Sequence, residues 1–368
     1  MASEWTTVRA ADFIEFNPRL SLKKGVVATK VAMEKLQPFT KKIPAAELAE
    51  FAGGSKFCNG DTIMARITPC LENGKTAFVD FLKDGEIAFG STEFIVMRAR
   101  AGVSDPQFVY YLATSPAFRN IAIKSMVGSS GRQRVQQGVL DELELTVPPL
   151  GEQQKIGAFL AMLDLKIALN NKINDNLQQQ AQAIYASMFI DNADPAWVQG
   201  HLSDLITVKY GKDHKKLADG SYPVYGSGGI MRYVERPLYD KESVLIPRKG
   251  TLNNVMYVNQ PFWSVDTMFY TEMRLPNVAK FVYHFVKAKD LASMNAGSAV
   301  PSMTTDILNA MEVTIPSASA LEEFESLVAP MYRAMQENDI QSSKLSELRD
   351  ALLPKLMSGE IDVSGIQL

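Results

Sequence analysis

Two stretches of this chain carry the same apolar seam, and that repetition limits the fold more than any other feature. Ile156, Leu160, Leu163, Ile167, Asn170, Asn174, Leu177, Ala181, Ile184 and Met188 step by four and three residues in alternation. Phe324, Val328, Met331, Met335, Asn338, Ser342, Leu345, Arg349, Leu352 and Leu356 repeat those steps 168 residues later. A stripe of this period predicts a long helix packed lengthwise on another helix. The stretch 152–189 contains no proline and one glycine, Gly157, so nothing in it breaks the helix. A seam needs a partner, and the second copy supplies it within the same chain.

The duplication reaches beyond the helices. Trp5, Asp12 and Ile14 match Trp197, Asp204 and Ile206, 192 residues on. Phe108-Val109-Tyr110 matches Phe281-Val282-Tyr283 at an offset of 173, and the run from Leu143 to Pro148 matches Met311 to Pro316 at 168. Each half therefore reads as a globular block, a strand ending in proline, and a long helix. Within the blocks 62–65, 76–79, 94–97, 243–246 and 255–258 read as strands. Stretches 107–114 and 279–288 read as short helices, with Pro106 and Pro276 just ahead of them. The expected fold class is α+β: two globular α+β domains separated by two long antiparallel helices, coiled-coil-like, with an internal pseudo-twofold. The expected limits are 1–150 and 191–316 for the domains, 151–190 and 317–358 for the helices, and 359–368 for a tail.

Polar seam positions add a register expectation. An axis midway between 170 and 174 sets Asn174 near Asn338 and Asn170 near Ser342, where the polar groups satisfy one another. A slipped register buries them against Leu or Ile, at about 1–3 kcal/mol each. Helices that splay and leave these positions in solvent are the competing reading.

Composition excludes several functions. No apolar run reaches 18 residues, and the stretch MASEWTTVRAADF lacks the apolar core of a signal peptide, so a cytoplasmic protein without membrane spans is expected. Cys58 and Cys70 read as structural thiols, and His201, His214 and His284 stand too far apart for a metal motif. YGSGGI (225–230) lacks the Gly-Lys-Ser/Thr of a phosphate loop. Val147-Pro148-Pro149-Leu150 is not the Asn/Asp-Pro-Pro-aromatic tetrapeptide of a DNA amino-methyltransferase, and no G-x-S-x-G elbow occurs. The chain thus reads as non-catalytic, with no cofactor of its own. The net charge is −3, but 317–368 alone carries 9 acidic against 4 basic residues, and 205–250 carries 9 basic against 5 acidic. Blocks this weakly basic bind DNA poorly unless a partner adds positive surface.

Polar loops are where DNA recognition would reside. In the first block GDTIMARITPCLENGK (60–75) presents Arg66, Thr68, Glu72, Asn73 and Lys75, and GSSGRQRVQQG (128–138) presents Ser129, Ser130, Arg132, Gln133, Arg134 and Gln136. In the second block KYGKDHKK (209–216) offers Lys212, YGSGGIMRY (225–233) offers Tyr225 and Ser227, and PRKGTLNN (247–254) offers Arg248, Lys249, Thr251, Asn253 and Asn254. Arg pairs bidentately with guanine and Asn or Gln with adenine, while hydroxyls suit phosphates. Solvated loops with ordinary charges are the bland alternative for these residues.

With these features in hand, the chain resembles the specificity subunits of type I restriction–modification enzymes over nearly its whole length. The resemblance rests on the duplicated plan, on V-P-P-L-x-E-Q-x-x-I (Val147 to Ile156), on G-D-x-x-x-A-R-x-x-P-x-x-x-x-G-K (60–75), and on R-K-G-T (248–251) followed by Phe262-Trp263-Ser264. It implies two target-recognition domains that each read half of a split, asymmetric site in double-stranded DNA. It implies helices that act as a ruler and dock modification (methyltransferase) subunits. Restriction (translocase/nuclease) subunits are implied as further partners, with S-adenosylmethionine and ATP with Mg held in those partner subunits. The second helix departs from the pattern, since Ser317-Ala318-Ser319-Ala320-Leu321-Glu322-Glu323-Phe324 replaces E-Q-x-x-I. Two other classes compete: a coiled-coil scaffold that binds protein without DNA recognition, and a fused enzyme. Salt-dependent DNA binding with the modification partner separates the first reading from both.

Overall fold

A computed structural model describes residues 5–294 and 302–363. The two seams form helices Leu150–Ala186 and Ala318–Met357, and the first ends in a wider, π-helical turn at Ser187–Asp191. The chain divides into two compact units, Met1–Asn171 with Asp339–Leu368, and Lys172–Asn338. The division falls inside each long helix rather than at the element ends 150, 190 and 316. Each unit is thus a block together with one half of each long helix, because the block packs on both.

In the first unit the strand Thr6–Arg9 pairs antiparallel with Glu144–Val147, setting Thr6 opposite Val147 and Arg9 opposite Glu144. A single helical turn, Ala10–Phe13, then leads into a four-stranded antiparallel sheet ordered Ile14–Phe16, Phe94–Ala99, Thr62–Ala65, Thr76–Phe78. A second sheet, ordered Glu47–Glu50, Val27–Val31, Ala88–Gly90, Lys56–Phe57, covers a separate core around Val31, Phe57, Ile63, Val79 and Phe94. The helix Pro106–Thr114 starts where Asp105 accepts a hydrogen bond from the Phe108 amide at 2.9 Å and Pro106 presets the first turn. Its apolar face, with Phe108, Val109 and Leu112, packs in one cluster with Ile156, Leu160, Leu353 and Leu356 of the long helices. Close approach explains Gly157: a Cβ there would stand 2.8 Å from Asp105 Oδ1 and 3.0 Å from the Phe108 nitrogen. Gln153 ties the same corner. It donates to the carbonyls of Val103 and Pro148 and accepts from the Asp105 amide.

The second unit repeats the plan. Val198–His201 pairs antiparallel with Glu312–Ile315, a one-turn helix Leu202–Leu205 follows, and the sheet is ordered Ile206–Tyr210, Met268–Met273, Ser243–Pro247, Met256–Val258. The order matches the first unit strand for strand. A three-stranded sheet, Gly229–Val234, Asp219–Gly226, Trp263–Ser264, replaces the first unit's second sheet. Helix Ala279–Lys287 packs on the long helices through Phe281, which meets Tyr185 and Phe189 at ring separations of 5.6 and 4.9 Å. Here Leu321 occupies the position equivalent to Gln153 and is buried, so an apolar contact replaces the polar tie. Ser317 caps the helix by accepting from the Ala320 amide at 3.2 Å.

The long helices run antiparallel within each unit. In the first, Asp164 meets Arg349 and Asn170 donates to Ser342 at 3.2 Å. In the second, Asn338 donates to Asn174 at 2.8 Å and Tyr185 lies on Phe324. The expected register therefore holds, and the amides find one another rather than solvent. Burial along the seam is uneven. Ile156, Leu160, Asn170, Ala181, Phe324, Val328 and Leu356 are buried, while Leu163, Ile167, Asn174, Leu177, Ile184, Met188, Met331, Met335, Asn338, Ser342, Leu345, Arg349 and Leu352 are half-buried. Among the apolar seam residues, those fully buried lie where a block covers the helices, and there a side chain such as Phe324 contributes about 1.5–3 kcal/mol. Residues 359–363 are not a free tail. Val363 is buried in the first unit's core and Gly359 lies against Trp5, a Cβ there falling 3.1 Å from the indole.

Candidate nucleic-acid interface

In the first unit the two polar loops are bound to each other. The Thr68 amide donates to the Gln133 carbonyl at 3.0 Å, the Val135 amide to the Arg66 carbonyl at 2.9 Å, and Ile67 bridges Arg134. Segments 60–75 and 128–138, far apart in sequence, thus share one edge of the block. Their side chains divide into two groups. Ser129, Ser130, Arg132 and Asn73 are exposed, and Thr68 and Gln133 are half-buried beside them. Arg134 is engaged by Glu93, with Nη2 2.7 Å from Oε1, and that hydrogen bond raises the guanidinium pKa further. Arg66 turns inward, donating to the Val135 carbonyl at 3.5 Å, and Lys75 donates to the Met33 carbonyl at 3.0 Å.

In the second unit three loops converge. Lys212 is held by its backbone: its amide donates to Ser264 and its carbonyl accepts from the Trp263 indole, both at 2.8 Å, leaving the ammonium exposed. Asn254 donates to the Ser227 carbonyl at 2.9 Å, which binds the hairpin tip 226–229 to the 248–254 turn. Gly250 has a φ of +85°, and a Cβ there would stand 2.7 Å from Ser227 Oγ, so both its conformation and its space call for glycine. Tyr225 accepts from Gln260 at 3.2 Å. Arg248 donates to the Asp266 carbonyl and lies 5.4 Å over the Tyr210 ring. Asn253 binds Asp290 and the Ala292 amide, both at 3.0 Å, and so fastens the 290–292 turn. Lys249 and Thr251 are exposed. Tyr210, Ile230, Met231 and Tyr233 are also exposed beside these loops. They were not singled out from the sequence, although the loops 209–216 and 225–233 contain them; alternation along Ile206–Tyr210 would place Tyr210 on the face of buried Ile206.

Polar clusters fix each block to its helices. In the first unit Tyr111 donates to Asp164, which also takes the Arg349 guanidinium at 2.6 Å. Lys41 lies beside them, 4.8 Å over the Tyr111 ring, and burial pulls its pKa down to about 8. In the second unit Lys280, only 3% exposed, sits between Glu242 and Glu325 at 2.8 Å each and over the rings of Tyr257 and Tyr332. His284 is a core histidine: Nδ1 bonds Gln182 Oε1 at 2.8 Å and Nε2 bonds the Tyr332 hydroxyl at 2.9 Å. Because Oε1 only accepts, Nδ1 carries the proton and Nε2 accepts from the tyrosine. The thiols are free; Cys58 accepts from Arg98 at 2.8 Å beside Asp61, and burial raises its pKa. Among the described residues no group of His, Cys, Asp and Glu is placed to hold a metal ion, and no helix is long and apolar enough to cross a membrane.

Comparison with known proteins places this arrangement. Residues 3–179 and 196–324 each match the type I restriction modification DNA specificity domain. The chain is 24% identical to the type I restriction enzyme HindI specificity subunit of Haemophilus influenzae, covering 82% of this chain and 86% of that one. It is 23% identical to the MjaIX specificity subunit of Methanocaldococcus jannaschii, over 70% and 69% of the two chains. The crystal structure of a type I restriction-modification S subunit from M. genitalium has the same fold, with a TM-score of 0.60 over 96% of each chain at 18% identity. Two matches in tandem, the first spanning a block and most of the long helix that follows it and the second a block and only the start of its long helix, fit the duplication read in strands and seams: the chain belongs to the family of type I restriction–modification specificity subunits.

Proposed function

We propose that this specificity subunit reads a split, asymmetric site in double-stranded DNA, each block contributing one half. One observation carries the reading: in each block, loops distant in sequence are gathered onto one edge, and the two gathered sets are chemically unlike. The first offers Asn73, Ser129, Ser130, Arg132 and Gln133, and the second Lys212, Ser227, Lys249 and Thr251, with exposed tyrosines nearby. Base-edge readout follows the side chains, so unlike loops select unlike sequences. The helices serve as the spacer and dock methyltransferase subunits. Met162, Leu165 and Leu169 support the docking, because they form an exposed apolar stripe on the first long helix at helical spacing, off the seam. The subunit itself is non-catalytic. S-adenosylmethionine, and ATP with Mg, belong to the modification and restriction partners, whose basic surface supplements the weak positive charge of the blocks. The complex works inside the cell, on DNA.

Co-production with a type I modification methyltransferase from the same genome, followed by mapping of methylated positions, tests this. The expected result is a bipartite site with two different halves and an unspecified gap. A continuous or palindromic site, or methylation indifferent to this chain, overturns it.

A further inference from the structure

A duplicated chain faces a pairing ambiguity. Because the two seams repeat at 168 residues, the first long helix could pair with the first long helix of a second copy as readily as with its own second helix. The apolar seam positions interchange under that exchange. So do the central amides: Asn170 now faces Ser342 and Asn174 faces Asn338, and in a like-with-like pair Asn170 would face Asn174 of the second copy. None of these layers tells the two arrangements apart.

Asp164 and Arg349 do. They form an ion pair at 2.6 Å with side chains 11% and 16% exposed, and Tyr111 from the block donates to the same carboxylate. The equivalent of Asp164 in the second helix is Tyr332, and the equivalent of Arg349 in the first is Ala181. The pair therefore exists once, not twice. Pairing two first helices would set each Asp164 against Ala181 of the other copy, so the carboxylate loses the guanidinium at 2.6 Å and keeps only the Tyr111 hydroxyl and the nearby Lys41 of its own block. Pairing two second helices would set each Arg349 against Tyr332, so the guanidinium loses the buried carboxylate of Asp164 and keeps only the largely exposed Asp350 beside it on its own helix. A buried charge that loses its partner is strongly disfavoured, whereas the pair kept intact is near neutral in net stability.

We infer that Asp164–Arg349 is the discriminating contact that commits the long helices to pairing within one chain and rejects exchange with a second copy. The inference concerns selectivity rather than stability. It depends on the helix register alone and does not rest on the DNA-reading role.

The test co-produces two full-length chains with different affinity tags, captures one and measures the fraction of the other retained. With the native pair that fraction is low. Asp164→Ala with Arg349→Ala removes both charges and is expected to raise the fraction about tenfold. Asp164→Arg with Arg349→Asp restores the asymmetry in reverse and is expected to bring it back down. Circular dichroism checks folding. If the double alanine chain is unfolded, Asp164→Asn with Arg349→Gln keeps hydrogen-bonding groups without charge and carries the same expectation. Equal capture for the native and charge-free chains, both folded, overturns the inference, and so does a reversed pair that exchanges as freely as the charge-free one.

Discussion

Arg132 and Arg134 stand two residues apart in opposite surroundings. Arg132 is exposed on the shared loop edge, and Arg134 is held by Glu93. Arg132→Ala should weaken DNA binding by about 1–3 kcal/mol and relax specificity at one position if it reads a base, or weaken all sequences alike if it holds a phosphate. Arg134→Ala should leave site choice intact and barely move the unfolding midpoint, since the pair is partly in solvent. Binding to a panel of single-position site variants, set beside denaturant unfolding, separates the two residues. His284 gives a pH signature. Burial holds its pKa at about 4, against about 6.5 in the unfolded chain, so the unfolded chain takes up the proton first as pH falls. The contribution is fully present above pH ~6.5 and is lost as pH falls towards 4, amounting to about 2 kcal/mol by pH 5. His284→Gln should flatten that part of the stability profile, and an unchanged slope between pH 7 and 5 would assign it to other groups. The candidate loops were legible at this scale because polar, glycine-rich runs announce themselves. Which arginine points outward was not, because Glu93 lies 41 residues from Arg134 and only the fold brings them together.

At the scale of elements, period carried most of the information. The seams foretold both long helices and their register, and proline foretold the starts of the short helices. Strand ends were recovered closely at Thr62–Ala65 and Ser243–Pro247, where β-branched and apolar runs are bounded by polar turns. The π-helical turn at Ser187–Asp191 left no sequence signal, since nothing in Ser-Met-Phe-Ile-Asp breaks an α-helical pattern. Short pairings such as Trp263–Ser264 with Asp219–Gly226 were equally silent, being too short to show a period. Gly157 offers the sharpest test of helix contact. Alanine is the better helix former by about 1 kcal/mol, yet its Cβ would press on the start of helix Pro106–Thr114. Gly157→Ala should therefore destabilise the protein by about 1–3 kcal/mol in thermal or denaturant unfolding. A rise in stability would mean that the short helix yields to the extra atom without cost.

For the whole molecule, the duplication was the most legible property, because each block is opened and closed by a strand pair that repeats: Thr6–Arg9 with Glu144–Val147, and Val198–His201 with Glu312–Ile315. The expected limits followed element ends and did not anticipate that each compact unit takes half of both helices, because packing between a block and a helix leaves no mark on local pattern. If the helices set the gap between half-sites, inserting whole turns into both should lengthen that gap and leave the half-sites unchanged. Mapping methylated sites for the lengthened chain checks this, and altered half-sites with an unchanged gap would refute the spacer role.

The contact of Trp5 with Gly359 closes a corner of the first unit without a peptide bond between them. In the second unit the helix passes into the block's first strand through a continuous turn, residues 187–197. In the first unit the same corner is closed by packing between two segments at opposite ends of the described chain. The same corner is thus held by a bonded turn in one unit and by side-chain packing in the other. Cleavage of the backbone within 192–196 is therefore expected to leave the second unit folded, which limited proteolysis followed by circular dichroism checks.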